Sequence, residues 1–257
     1  MQKYRVGVQL SPQHTTYASY IDAVQRIDAL GVDTIWNWDH FFPLSGEPDG
    51  AHFECYTLLT AIAIQTANAQ VGCLVTCNSY RNPQLLADMA RTIDHICNGR
   101  FILGIGAGWC ERDYVEYGYD FGTFTTRLQS LDQSLPLIKQ RWEKLNPAPL
   151  RSPIPILIGG GGEKKTLRIV AQYADMWNCI EPPEVYSHKN AVLDRWCAEL
   201  GRDPAEIERT VALSSTDLEQ LDAFVEAGAT HMILFSDVPV DFKAVEQLVN
   251  WRERQPH

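Results

Sequence analysis

The sequence predicts an α/β fold, a single-domain (β/α)8 barrel (TIM barrel) covering residues 1–257. Three observations predict it. Short β-branched runs alternate with longer segments whose apolar residues recur three and four apart. Strict βα alternation implies a parallel sheet with helical crossovers, and about eight units close a barrel. The length of 257 residues matches one such barrel, which typically needs about 250. No Gly/Ser-rich or Pro-rich stretch divides the chain, and the Pro cluster within Asn146–Pro153 reads as a loop rather than a linker.

The first strand is Tyr4–Leu10. Tyr17, Tyr20, Ile21, Val24, Ile27 and Leu30 share one face of the helix that follows, and Gly31 ends it. The second strand is Asp33–Trp36, with a helix at Glu54–Thr66. The third is Gln70–Thr76, and its helix opens on Pro83, a favoured first helical position. The fourth is Phe101–Gly106, followed by a helix bearing Phe124, Leu128, Leu131, Leu135 and Ile138. The fifth is Ile154–Ile158, with a helix at Glu163–Tyr173. The sixth is Ala174–Ile180, with a helix at Pro183–Leu200. The seventh is Thr210–Ser214, with a helix at Asp217–Ala227. The eighth is His231–Phe235, and a last helix runs through Trp251.

Composition is that of an ordinary globular protein, 45% hydrophobic and 21% charged. A net charge of −10 without a basic block argues against nucleic acid and anionic membrane as partners. No apolar run is long enough to span a bilayer. The N-terminus runs straight into a strand pattern with no visible signal peptide, so the expected location is cytoplasmic. Seven cysteines at irregular spacings, with no Cys-x-x-Cys pair, argue against a disulfide framework or structural zinc.

Barrel chemistry sits at the C-terminal ends of the strands. Strand two ends in Trp36-Asn-Trp-Asp39-His40. Such a His can bond a planar heterocycle or move a proton; the plain alternative is a turn cap and a packed core histidine. Strand three ends in Thr76-Cys77-Asn78-Ser79-Tyr80-Arg81-Asn82, whose polar groups suit the edges of a ligand; Asn82 as a helix cap accounts only for itself and Pro83. Strand four runs into Gly106-Ala107-Gly108-Trp109. Trp109 stands where a dinucleotide fingerprint needs its third glycine, so these glycines mark either close approach of a ligand to the backbone or a tight turn. After strand five, Gly159, Gly160, Gly161 and Gly162 open a helix. Exposed backbone N–H groups at a helix N-terminus favour a phosphate, and a flexible turn is the alternative. Strand six offers Asn178.

No strand ends in Lys, which disfavours a Schiff-base aldolase. Few His or carboxylates converge, so no metal site is expected. What remains suits a planar phosphorylated cofactor that supplies the reactive atom itself.

Trp-Asp39-His40-Phe, Leu74-Val-Thr76, Tyr80-Arg-Asn-Pro83, the run from Gly99 to Trp109, Ile156 to Gly162, and Ala174 to Asn178 together resemble the luciferase-like monooxygenase superfamily, and in order and spacing its branch dependent on the deazaflavin coenzyme F-420 (F420). The resemblance covers roughly residues 4–180. It implies a (β/α)8 fold and an oxidoreductase that transfers a hydride between the cofactor C5 and a small-molecule substrate. It implies that His40 lies beside the ring system, with Asp39 as its catalytic neighbour. Thr76, Ala107, Gly108, Trp109, Asn178 and Gly159–Gly162 would contact the cofactor, and Arg81, Lys164, Lys165 and Arg168 would meet its polyglutamate tail. A non-prolyl cis peptide behind the ring, a frequent device of the family, would fall at Cys73–Leu74. Trp109 replaces the catalytic Glu of the sugar-phosphate dehydrogenases, Cys77 stands where Pro is common, and no long insertion covers the site. The site is therefore open, or closed by a partner subunit in a homodimer. An FMN-dependent monooxygenase or dehydrogenase, and a non-catalytic flavin-binding protein, stay as alternatives. His14, Asn37, Glu111 and Glu181 do not converge on a substrate class.

Overall fold

A computed structural model describes residues 3–255; the two outermost residues at each end of the expected 1–257 domain lie outside the described residues. The strands are β1 Arg5–Leu10, β2 Thr34–Asn37, β3 Gln70–Cys73, β4 Thr76–Cys77, β5 Phe101–Gly106, β6 Ile156–Gly159, β7 Met176–Cys179, β8 Glu208–Leu213 and β9 His231–Ser236. The helices are α1 Tyr17–Ala29, α2 Cys55–Gln65, α3 Pro83–Ile96, α4 Glu111–Tyr117, α5 Phe124–Trp142, α6 Thr166–Tyr173, α7 Pro183–Leu200, α8 Leu221–Glu226 and α9 Phe242–Glu253. Every strand pairing is parallel, in the order β3-β2-β1-β9-β8-β7-β6-β5-β4, and the β3–β5 pairing closes the ring. The two-residue β4 is a spur on β5, so the closed barrel has eight staves, as the alternation predicts. No helix among the described residues is long and apolar enough to cross a membrane.

The helices sit where the apolar stripes predict. Asn82 caps α3, accepting from the N–H groups of Gln84 and Leu85. Leu128, Leu131, Leu135 and Ile138 of α5 are buried against the barrel. Three differences stand out. The expected strand Gln70–Thr76 is broken, because the chain leaves β2 after Leu74 and rejoins β5 at Thr76. A short helix, α4, fills the strand-four loop, too brief for a helical period to show in sequence. The expected Asp217–Ala227 helix also begins as a 3-10 turn over Ser215–Gln220.

The interior has layers. A middle plug of Trp36, Leu74, Ile102, Leu157, Met176 and Ile233 is apolar. The Trp36 ring is accommodated by Gly72, where an added Cβ would come 2.6 Å from Trp36 Cζ3. Below it lies a polar layer. Trp36 Nε1 donates to Thr34 Oγ1 at 2.8 Å, and Thr34 Oγ1 lies 2.9 Å from Nε2 of the fully buried His231. The Thr34 hydroxyl thus bridges the two rings, accepting the indole N–H and sharing a hydrogen bond with His231. His231 Nδ1 lies 2.9 Å from Glu208 Oε1, at an angle poor for a hydrogen bond. Arg5 donates to both Glu208 oxygens, at 3.1 and 2.9 Å. Burial pushes the His231 pKa below its ordinary value despite the adjacent Glu208 carboxylate.

Replacing His231 strands Thr34 and leaves a buried void beside Glu208. His231→Ala should therefore destabilise the protein by about 2–4 kcal/mol, read as a lower urea midpoint at unchanged m-value. A change under about 0.5 kcal/mol would show that the layer is not structural.

Candidate active site

The C-terminal ends of the strands surround a cavity of about 520 Å³. A larger space of about 970 Å³ opens at the opposite end of the barrel. There Arg5 and Arg209 are already paired with Glu208 and Asp194, and the strand N-termini offer none of the glycine-rich turns, so the chemistry belongs to the smaller cavity.

Its floor is made by Val75. A Cβ on Gly106 would come 2.8 Å from Val75 Cγ2, and one on Gly159 would come 3.0 Å from Val75 Cγ1. The two glycines thus make the seat for this side chain. Val75 is brought there by the break in the third strand. Leu74 N–H still donates to the Asn37 carbonyl at 2.9 Å, and the Leu74 carbonyl accepts from Gln9 Nε2. Sheet bonding therefore persists through the Cys73–Leu74 peptide, and the turn falls one bond later. The non-prolyl cis peptide is accordingly Leu74–Val75, not the expected Cys73–Leu74.

One wall carries His40. Its Nδ1 is 2.6 Å from Asp113 Oδ2. Asp113, fully buried on α4, also accepts from the Phe41 N–H at 3.0 Å and the Tyr80 hydroxyl at 3.2 Å. Burial pushes the Asp113 carboxyl up, but the His40 bond, the Phe41 N–H and the His40 charge outweigh it, so its pKa is below the ordinary value. The Trp109 ring stands edge-on to His40 at 5.4 Å. Asp113 was not foreseen. Its signals were faint: Glu111 and Asp113 in a first turn, and Gly118 (φ 71) as a left-handed helix stop.

Asp39 has a different task. It is buried and receives Arg81 through Nη1 at 2.5 Å and Nη2 at 2.9 Å, and the Cys77 N–H at 3.0 Å. Its oxygens are committed to the scaffold, and Asp113 is the carboxylate bonded to His40. Arg81 does not line the cavity. It also donates to Glu54, the N-cap of α2, at 2.9 Å and lies over the Tyr56 ring at 4.5 Å. Cys73 also stays outside, its sulfur 3.4 Å from that of Cys55. Leu74, Thr76, Ala107, Gly108, Trp109, Gly159–Gly162 and Asn178 all line the cavity with Asp39 and His40. So does Tyr80 of the strand-three segment, and so do Gln9, Phe124, Ile180 and Phe235, which the sequence does not single out as site residues. Of the polar residues without an assigned task, only Glu181 lies in the wall; His14, Asn37 and Glu111 do not.

The opposite wall is the glycine turn. Gly160 has φ 124, a region that L side chains rarely adopt. The turn's carbonyls are taken: Gly160 by Trp177 Nε1 at 2.9 Å, Gly161 by Lys189 Nζ at 2.8 Å and Gly162 by the Leu167 N–H at 3.0 Å. Fixed carbonyls fix the peptide planes, beside the first turn of α6, which starts at Thr166 rather than Glu163. Gly108, with φ 82, is a second requirement, since a Cβ there would sit 2.1 Å from the Tyr114 hydroxyl. Burial pushes the Cys77 thiol up to about 11 and the Cys179 thiol up to about 12. Neither wall thiol is a thiolate at neutral pH, so cysteine nucleophilic catalysis does not fit.

Residues 2–219 match the luciferase-like monooxygenase family model. The chain belongs to the luciferase-like monooxygenase family. Among curated relatives of this family member, it is 27% identical over 187 residues to the F420-dependent glucose-6-phosphate dehydrogenase of Amycolatopsis mediterranei, covering 66% of this chain and 54% of that protein. It is also 27% identical over 238 residues to the 5,10-methylenetetrahydromethanopterin reductase of Archaeoglobus fulgidus, covering 82% and 67%. The chain thus spans little over half the length of the first of these. A solved F420-dependent secondary alcohol dehydrogenase, in complex with an F420-acetone adduct, superposes with TM-score 0.85 at 16% identity, covering 98% of this chain and 100% of that one. The oxygenating constituent of 3,6-diketocamphane monooxygenase from Pseudomonas putida, in complex with FMN, does so at 0.76 and 14%, covering 96% and 97%. These two likenesses show the shared barrel.

Below the wall, His52 accepts from Trp38 Nε1 at 2.9 Å and its pKa is lowered to about 4, by burial first and then by His40. A histidine depressed in the fold stabilises above its unfolded pKa and loses that contribution as pH falls toward the folded value. The window here runs from about 6.5 down to about 4. Stability should fall across it, and His52→Gln should flatten the pH dependence of the unfolding free energy between those limits. An unchanged slope would remove His52 as its source.

Proposed function

We propose that the chain is an F420-dependent oxidoreductase that moves a hydride between C5 of the deazaflavin and a small organic substrate. The observation that carries the proposal is one cavity with a fixed glycine turn on one side and the His40–Asp113 pair on the other. The cradle fits the group: a Cβ on Gly161 would fall 2.9 Å from Cys179 Sγ and 3.0 Å from Lys189 Cδ. Glycine there lets the turn pack closely on Cys179 and Lys189, which fixes its backbone beside the α6 N-terminus where a phosphate would sit. In this reading Gly159–Gly162 and the α6 N-terminus hold the phosphate. Val75, on the seat made by Gly106 and Gly159, supports the ring. Thr76, Ala107, Gly108 and Asn178 meet its edges, with Trp109 beside it. Cys73 and Leu74 act through the backbone that positions Val75, and Arg81 acts by holding Asp39.

The bound cofactor supplies the hydride acceptor or donor. The protein's part is proton handling and orientation. Asp113 holds His40 Nδ1, so Nε2 is the nitrogen left for the cavity. Proton uptake at Nε2 makes an imidazolium that the Asp113 carboxylate stabilises. An oxygenase must in addition keep a reduced-flavin oxygen adduct from water. Trp109 is 66% exposed and Ile180 74% exposed at this mouth, which favours hydride transfer over the FMN monooxygenase reading.

Fluorescence titration tests the cofactor. Deazaflavin should bind in the micromolar range or tighter, and FMN at least about tenfold more weakly, a gap of about 1.4 kcal/mol. Stoichiometric bound FMN with no affinity for the deazaflavin would overturn the proposal. Gly161→Val should weaken cofactor binding far more than it lowers the melting temperature. The reverse pattern would make the segment a plain turn.

His40→Ala and Asp113→Asn test the proton path. The first should lower turnover at least about tenfold. The second should lower kcat with little effect on cofactor affinity and shift the pH–rate profile, because the imidazolium loses its counter-charge. Unaltered rates and profile in both variants would leave the pair as packing.

A further inference from the structure

The curated relatives named above include dehydrogenases of a phosphorylated sugar, but this cavity has no place for a second phosphate. No Lys or Arg is among the residues lining it. Lys164, Lys165 and Arg168 follow the glycine turn but are exposed and do not line the cavity, and four other cations near it are held by the scaffold. Arg81 is paired with Asp39 and Glu54. Arg127 donates to the carbonyls of Gly108 and Phe121. Arg112 is tied to Asp49 and the Pro48 carbonyl. Lys189 is turned to the Gly161 carbonyl and lies 3.6 Å from Glu181. The charged groups of the lining are carboxylates, Glu181 beside Lys189 and Asp39 beside Arg81, so the wall offers an anion no free cation. An anionic group brought there would lose water and gain no partner.

What the mouth does offer is apolar surface. Trp109, Phe124, Ile180 and Leu44 line the cavity and are 66%, 59%, 74% and 39% exposed. Large apolar side chains left open in one patch mark a place where something apolar binds. His40 Nε2 stands among them as the group able to exchange a proton with an oxygen.

We propose that the substrate is a neutral secondary alcohol, or its ketone, whose carbon substituents are apolar. This rests on the hydride-transfer reading above. In the oxidising direction the carbinol C–H bond breaks and its hydrogen leaves with both electrons for C5 of the oxidised deazaflavin. The O–H proton goes to His40 Nε2, and the C–O bond becomes C=O. The alkyl or ring substituents lie against Trp109, Phe124 and Ile180. The reverse reaction returns the proton from Nε2 to the oxygen.

The test has two arms. In the first, protein shown by titration to be saturated with oxidised deazaflavin is given cyclohexanol or glucose 6-phosphate, and loss of the oxidised cofactor's absorbance is followed. The expected kcat/KM for cyclohexanol exceeds that for glucose 6-phosphate by at least about 100-fold. Ile180→Lys should cut the cyclohexanol value about tenfold, through KM rather than kcat, with cofactor affinity intact. Equal or greater efficiency with glucose 6-phosphate overturns the proposal.

The second arm needs no cofactor. Saturation-transfer NMR on the apoprotein should show cyclohexanone bound and glucose 6-phosphate not, with the cyclohexanone signal reduced in Ile180→Lys and Trp109→Ala. Failure of cofactor binding would sink the oxidoreductase reading while this arm still decides the substrate class. No transfer from cyclohexanone, or its loss in Ile180→Lys only together with loss of a dimer in sedimentation, overturns the apolar wall.

Discussion

The carboxylate of Asp39 is buried at the top of the barrel, and a buried charge must be compensated where it stands. Its compensation comes from one short segment, through two guanidinium nitrogens of Arg81 and the N–H of Cys77, and the same guanidinium also donates to Glu54 at the start of α2. Satisfying one charge therefore sets the loop after β2, the strand spur β4 and the entry of α2 against each other. The consequences run outward. His40 follows Asp39 directly, so the clamp determines where the imidazole stands. Thr76 and Val75 precede Cys77, so it also determines how the floor meets Gly106 and Gly159. The luciferase-like site is assembled around an ion pair that does not itself face the cavity centre.

The barrel was legible because its evidence is repeated. Each of eight βα units carries its own period, and an error of two or three residues at an edge, as at Glu208 or Thr166, does not change the count. The site was legible where glycine is required, at Gly108 and Gly159–Gly162, and where a polar pair follows a strand, at Asp39-His40. It was not legible where the partner is remote. Nothing local to His40 says that its carboxylate lies 73 positions later on a seven-residue helix. Aspartate next to histidine in sequence drew the pairing toward Asp39, whereas adjacent side chains on an extended segment diverge. The cis bond was misplaced by one residue for a related reason. Its position is set by how far β3 stays bonded to β2, which is a property of the sheet and not of Cys73, Leu74 or Val75.

Charge is distributed in this protein with a consistent logic. In a chain of net charge −10, three cations around the cavity hold loops: Arg81 on Asp39, Arg127 on the Gly108 carbonyl, Lys189 on the Gly161 carbonyl. Each fixes a backbone turn that shapes the cavity. The cavity wall is left without Lys or Arg, and its His40 imidazole has Nδ1 already bonded to Asp113. Rigidity of the frame and selectivity of the opening are thus two results of the same placement of arginine and lysine.

The polar layer beneath the Trp36 plug bears on strand alignment. Alternation of inward and outward side chains forbids a one-residue slip between neighbouring strands, because every residue would change face. A slip of two keeps the faces and passes that check. The apolar plug is tolerant too, since one aliphatic side chain replaces another at modest loss. The chain Trp36–Thr34–His231–Glu208–Arg5 is not tolerant. Its members are polar groups matched to one another, and together they join β2, β9, β8 and β1. Displacing any one strand by two residues breaks at least one of these links, and those at Trp36, Thr34 and His231 are fully buried. This buried ladder acts as a key for the closed ring, encoding which residue of each stave stands beside which.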